Sequence, residues 1–213
     1  MKKEFYRRSL PHLQPLGGTF FVTFNLYGSI PKEVLKKWEE EFILEKERIL
    51  QFSDNIAAEL ERLGKLDFAK RDKFYDTYQG GNHYLKSPTL AKIVADSIHF
   101  WDDRRFELYA YCIMSNHVHI VFRLFDESEI EKPYYLEQVM HSIKRYSSFE
   151  CNKLLGLNGE FWQSESYDRL VRDTEELKRI IRYVLNNPVA AGLCSQMKDW
   201  QWFYVKEIYN EYM

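Results

Sequence analysis

The sequence predicts an α+β fold, a central antiparallel sheet with helices packed on it. Three observations carry this reading. Residues 19–26, Thr-Phe-Phe-Val-Thr-Phe-Asn-Leu, are β-branched and aromatic, too short for a typical helix, and follow Gly17-Gly18, as a buried strand does. Residues 104–114 and 117–124 are two further strand-like runs separated by Ser115-Asn116, the pattern of an antiparallel hairpin. Apolar stripes at helical spacing then recur over residues 88–100, about 134–155 and about 173–187.

The chain begins with a short basic arm, Lys2, Lys3, Arg7 and Arg8, which also carries Phe5 and Tyr6. Pro11 and Pro15 keep this segment extended. The arm is either a solvated terminus or a strap that touches phosphates. After the first strand, Ser29 and Pro31 start a helix, and Val34, Leu35, Trp38, Phe42, Ile49 and Leu50 continue it to about residue 52. Two more helical stretches are expected over about 55–63 and 67–78. Residues 32–78 therefore read as a helical insertion into the sheet, with polar faces rich in Lys and Glu that state no function.

Ser87-Pro88 caps and opens the next helix, whose stripe is Leu90, Ile93, Val94 and Ile98. An acidic loop over 126–131 leads to a helix that Gly156 ends. Its apolar side is Leu136, Val139, Met140 and Ile143. Its other side holds His141, Lys144, Arg145 and Ser148, either a phosphate-binding face or a solvated one. Residues 159–163 and 167–170 read as an aromatic, polar connector. Asp173-Thr-Glu-Glu176 resembles a capping box, and Leu177, Ile180, Ile181 and Val184 form the last stripe. Pro188 is expected to stop that helix at Asn187. The aromatic tail, about 194–213, is expected to pack back onto the fold.

Composition excludes several classes. The chain of 213 residues has a net charge of −2, so no global basic field draws it to nucleic acid, and any such binding needs local patches. No apolar run approaches the roughly 20 residues of a membrane span. No apolar segment follows the basic start, so no signal peptide is expected and the cytoplasm is the default. Cys112, Cys151 and Cys194 are too few and too scattered for a disulfide framework or a zinc motif. Cys112, inside a strand, is expected to be a buried small apolar residue. There is no Gly-x-x-x-x-Gly-Lys-[Ser/Thr] phosphate loop.

Two constellations carry chemistry. In a strand His117 and His119 share a face while Val118 and Ile120 point into a core. Two such imidazoles can hold one divalent ion, or simply be two surface histidines. On the last helix Tyr183 and Asn187 lie one turn apart on one face, with Arg179 one turn earlier. They can serve one site, or be a core-edge tyrosine and a helix-ending Asn before proline.

The order of these segments adds a third observation. A strand, Met114-Ser115-Asn116-His117-Val118-His119, a helix, Phe161-Trp162-Gln163, a capping box and then Arg182-Tyr183-Val184-Leu185-Asn186-Asn187-Pro188 resembles the single-tyrosine HUH transposases of the IS200-like family. It looks most like the REP-associated tyrosine transposase subgroup, as does the start, Arg7-Arg8-Ser9-Leu10-Pro11 and Gly17-Gly18-Thr19-Phe20. The resemblance covers most of the chain outside residues 32–78. It implies an RRM-like or ferredoxin-like HUH endonuclease fold across a single domain, residues 1–213. It implies Tyr183 as nucleophile, and His117, His119 and Asn187 as ligands of Mg²⁺ or Mn²⁺. It implies nicking and rejoining of single-stranded DNA beside hairpins, through a covalent 5′-phosphotyrosine, by a monomer or a homodimer. Arg7, Arg8, Lys144, Arg145 and Arg179 are the candidates for DNA contacts. Trp200-Gln201-Trp202-Phe203-Tyr204 departs from the Trp-x-Trp-Ser-Ser-Tyr of relatives. The competing readings are a domesticated binder of hairpin nucleic acid that does not cut, a hydrolytic phosphoesterase, and a metal-free structural domain.

Overall fold

A computed structural model describes residues 5–7 and 11–212, with side chains from Gln14 onward. The chain falls into two compact units, one made of Leu26 and the residues before it together with Tyr84 onward, the other of Tyr27–His83.

The first unit is built on five strands: β3 (Thr19–Asn25), β4 (Phe106–Ile113), β5 (His117–Leu124), β6 (Tyr167–Val171) and β7 (Phe203–Val205), in the order β6-β3-β5-β4-β7. Every pairing is antiparallel. Two short strands, β1 (Phe5–Arg7) and β2 (Pro11–Leu13), pair with each other before it. Lys2, Lys3 and Arg8 of the predicted arm lie outside the described residues. Three helices complete the unit: α3 (Pro88–Trp101), α4 (Leu136–Leu155) and α5 (Thr174–Ala190).

Side chains alternate along each strand, so the sheet has two distinct faces. On one, Phe20, Val22 and Phe24 of β3 and Val118, Ile120 and Phe122 of β5 join Leu90, Val94 and Ile98 of α3 and Val139, Met140 and Ile143 of α4 in one buried core. On the other, Phe21, Thr23 and His119 meet α5 through Tyr183. Cys112 is buried, as expected.

Three sequence expectations need correction, and the one for the tail holds. The segment read as a polar connector contains β6, a five-residue edge strand beside β3. Its Asp168 and Arg169 mask the strand pattern, and charged residues suit an edge that must not recruit further strands. The aromatic tail does return, but as β7 paired to β4. Pro188 does not end its helix: α5 runs to Ala190, and Ala191 N–H donates to the Asn187 carbonyl. Pro188 is itself buried with Ile181, Val184 and Leu185, so packing outweighs the lost N–H. In the second unit two helices replace the expected three, α1 (Lys32–Phe52) and α2 (Ile56–Thr77). Gly64 sits inside α2 with open space around its Cα, at a helix cost of about 1 kcal/mol. Among the described residues no helix is long and apolar enough to cross a membrane.

One charged network ties the sheet's far edge together. Arg123 of β5 donates to Glu107 of β4 at 3.1 Å and to both oxygens of Glu129, and Lys206, just past β7, also reaches Glu107. Burial raises the Glu107 carboxyl pKa, but hydrogen bonds from Lys206 and Arg123 outweigh it and hold the group below its usual 4.5. The Arg123 hydrogen bonds draw Glu129 down to about 2. A carboxylate whose folded pKa is depressed stabilises the fold above its unfolded pKa and loses that contribution as pH falls through the folded value. Stability is therefore expected to drop as pH falls below about 4.5. Urea midpoints measured from about pH 6 to pH 3 should show this drop, and Glu107→Gln should lower the midpoint at pH 6 and flatten the fall.

Candidate metal and tyrosine site

The register between β3 and β5 sets Thr23 opposite His119 and Asn25 opposite His117. Both imidazoles are buried. Thr23 Oγ1 lies 2.7 Å from His119 Nδ1, and Asn116 Oδ1 lies 2.7 Å from His117 Nδ1. An amide oxygen only accepts, so His117 carries its proton on Nδ1 and presents a bare lone pair at Nε2. Thr23 Oγ1 can accept from His119 Nδ1 in the same way, and that tautomer offers the His119 Nε2 to a metal. The two Nε2 atoms are 3.1 Å apart. Two nitrogens each about 2.1 Å from one ion, at angles between octahedral and tetrahedral, stand roughly 3.0–3.4 Å apart. The pair thus has the spacing of two ligands of one metal, with Nδ1 partners that fix the rings.

α5 supplies the other two groups. The Tyr183 ring is half-buried, 5.5 Å from the His119 ring and edge-on to Phe21 at 6.0 Å. Asn187 is buried one turn later, its Nδ2 3.5 Å from Tyr183 Oη. Its Oδ1 has no hydrogen-bond partner among the described residues. A buried amide oxygen without a partner costs about 1–3 kcal/mol, and a cation answers that cost. Two imidazole nitrogens and a free amide oxygen are a donor set suited to a divalent ion, with coordination positions left for phosphate oxygens and water.

The structure therefore gathers His117, His119, Tyr183 and Asn187, and sets Lys144 and Arg145 apart from them. Lys144 and Arg145 belong to α4, on the opposite face of the sheet. There they line a cavity of about 420 Å³ with His141, Ser148 and the segment around Trp162. Lys144 Nζ donates to the carbonyls of Gln163 and Ser164 at 3.0 and 3.3 Å, so it also anchors that segment. Arg179 is exposed on α5. The Arg7 side chain and all of Arg8 lie outside the described residues. Sequence reasoning missed Thr23, Asn116 and Phe21. Asn116 had a local signal, standing directly before His117; Thr23 and Phe21 reach the site only through strand register.

Tyr109 and Tyr111 on β4 are poor nucleophile candidates. Burial pushes the Tyr109 hydroxyl pKa up to about 12 and raises that of Tyr111 further. Tyr111 instead sits 3.2 Å from His99 Nε2.

Residues 84–187, which hold both histidines, Tyr183 and Asn187, match the family described as Transposase IS200 like. The match spans 104 of the 213 residues, just under half of the chain. It is 28% identical over 99 residues to the Haemophilus influenzae protein named "Putative REP-associated tyrosine transposase", covering 45% of this chain and 56% of that protein. It is 26% identical over 98 residues to the REP-associated tyrosine transposase of Escherichia coli, covering 46% and 53%. The matched parts span about half the length of these curated relatives. A solved structure of a REP-associated tyrosine transposase, bound to a REP hairpin, superposes with a TM-score of 0.54 at 18% identity, over 93% of this chain and 80% of that one. That likeness is one of fold alone.

Proposed function

We propose that this chain is a metal-dependent single-stranded DNA endonuclease and strand transferase that nicks and rejoins DNA beside hairpins through a covalent 5′-phosphotyrosine. The observation that carries the reading is the pair of histidine Nε2 atoms 3.1 Å apart, next to a tyrosine and a buried amide oxygen with no partner. The whole chain reads as one HUH domain with a helical insertion over about 32–78 and a C-terminal tail over about 194–213.

His117, His119 and Asn187 would hold Mg²⁺ or Mn²⁺. When bound, such an ion polarises the scissile phosphate and offsets charge that develops on it. The rest falls to the chain's own groups. Tyr183 Oη forms the new bond to phosphorus while the bond to the 3′-oxygen breaks, and the phenol proton is released. A free 3′-OH and a 5′-phosphotyrosine result. The phosphodiester energy is kept in the link, so attack by a 3′-OH reseals the strand without ATP. Thr23 and Asn116 orient the imidazoles, and Phe21 walls the tyrosine.

The hairpin bound in the solved relative supports hairpin DNA as the substrate class. Labelled hairpin oligonucleotides from the gene's flanks, incubated with Mn²⁺ or Mg²⁺ and run on a denaturing gel, test the reading. A protein-linked band lost with EDTA is expected. Cleavage without a linked band would indicate a hydrolytic phosphoesterase, and binding without cleavage a domesticated binder.

The basic arm is a separate expectation. Arg7/Arg8→Ala should weaken DNA binding and reduce the slope of log affinity against log salt by roughly one to two. An unchanged slope, measured by fluorescence anisotropy at several salt concentrations, would remove the arm from the interface.

A further inference from the structure

Acids favour the first turn of a helix, where they meet its dipole and water. Glu176 stands in the first turn of α5, yet its side chain is buried. Its Oε1 accepts from the Arg169 guanidinium of β6, and its Oε2 accepts from the Arg172 N–H at 2.9 Å. Its own N–H donates to Asp173 Oδ1 at 2.7 Å. A buried carboxylate is costly unless a charge and hydrogen bonds meet it, and here both oxygens are met.

The partner is not buried with it. The Arg169 side chain is 26% exposed, and among the described residues it bonds to Glu176 alone, through Nη2. A guanidinium carries five N–H donors in one rigid plane and matches carboxylate and phosphate geometry. A lysine would neutralise Glu176 as well. An arginine does so and still presents donors in a fixed direction.

Strand register says where those donors stand. Arg169 pairs with Phe21, and Tyr167 pairs with Thr23, which pairs in turn with His119. Directly paired residues share a face, as do residues two apart on one strand. Arg169 therefore belongs to the face of Phe21, Thr23 and His119. It lies two strands across and two residues along from His119, on the order of 12 Å between Cα atoms. The helix gives the same direction. Glu176, Arg179 and Tyr183 fall at i, i+3 and i+7, on one flank of α5, and Glu176 precedes Tyr183 by two turns, about 10 Å. With Glu176 covered, this flank offers Arg169 and the exposed Arg179 on the approach to Tyr183.

We propose that Arg169, oriented by Glu176, binds a backbone phosphate of the DNA strand about one or two linkages from the scissile one, and so sets the strand against Tyr183. The inference rests on the nuclease reading above and adds a residue to it. Glu176 acts through Arg169 as a positioning residue.

The test uses the full-length chain and the hairpin oligonucleotide that it cleaves, remade with one neutral methylphosphonate at each linkage beside the cut in turn. Affinity is read by fluorescence anisotropy and adduct by denaturing gel. Arg169→Gln alone would leave Glu176 buried beside a neutral partner, so the variant is Arg169→Gln/Glu176→Gln, two amides that can bond to each other; circular dichroism checks its fold. With wild type, one linkage within about two of the cut should weaken binding about 10-fold when neutral. In the double variant that linkage should become silent, affinity for unmodified DNA should fall about 10-fold, and the salt slope should drop by about one. Glu176→Gln keeps the cation but loosens it, so it should keep the salt slope and lose more in adduct rate than in affinity. An adduct-forming wild type indifferent to every linkage within about three of the cut, or a double variant with the wild-type salt slope and the same sensitive linkage, would overturn the proposal and leave the nuclease reading standing. A wild type that neither binds nor links the DNA would overturn both.

Discussion

Tyr183→Phe is expected to remove the protein-linked DNA product, by at least about 1,000-fold, while leaving DNA affinity unchanged. The substitution is narrow. The phenyl ring keeps its edge contact with Phe21 and its place against His119. The lost hydroxyl gives up a long 3.5 Å contact with Asn187 Nδ2, and losing such a hydrogen bond changes stability by about 1 kcal/mol. Loss of product with intact binding then isolates the nucleophile. The comparison variant is Tyr167→Phe. Tyr167 of β6 also meets Phe21, with ring centroids 6.1 Å apart. If Tyr183→Phe still forms the adduct and Tyr167→Phe does not, the reaction uses the β6 tyrosine and the assignment to α5 is wrong.

Why the sequence revealed this face and hid others follows from how each part is encoded. The histidine pair was legible because strand period two is a local rule, and His117 and His119 carry it within three residues. Tyr183 and Asn187 were legible because helix spacing is local too. Their helix was nevertheless expected to stop at Asn187. The burial of Pro188 beside Val184 and Leu185 is a tertiary fact that overrides the local preference of proline. β6 and β7 were hidden for the opposite reason. Five and three residues long, with Asp168 and Arg169 or two aromatics and a valine, they have little periodicity of their own and become strands because β3 and β4 present open edges. Thr23 and Phe21 depended on register across almost a hundred residues of chain. The gathering of Lys144 and Arg145 away from the tyrosine is equally non-local: helix α4 packs on the face that Val118 and Ile120 occupy, and nothing near Lys144 in sequence says so.

The metal site gives the second large effect, and its sign pattern separates a ligand from a merely buried amide. Mn²⁺ at about 100 times its dissociation constant should stabilise the folded chain by about 2.7 kcal/mol, a rise in Tm of roughly 5–10 °C for a protein of this size. His117→Ala or His119→Ala should abolish that rise, because each removes one of two nitrogens only 3.1 Å apart. Asn187→Leu is the more telling variant. Without metal, Asn187 Oδ1 is buried and has no hydrogen-bond partner among the described residues, so an apolar side chain of similar size relieves a cost of about 1–3 kcal/mol. The metal-free variant should be at least as stable as wild type. With Mn²⁺ the order should invert, since the variant has lost a ligand and its rise in Tm shrinks. Differential scanning calorimetry of both proteins, with EDTA and with Mn²⁺, reads both signs. A variant that is destabilised without metal yet keeps the full Mn²⁺ shift would show that Asn187 packs the helix end and leaves the ion to the histidines and to groups other than its amide.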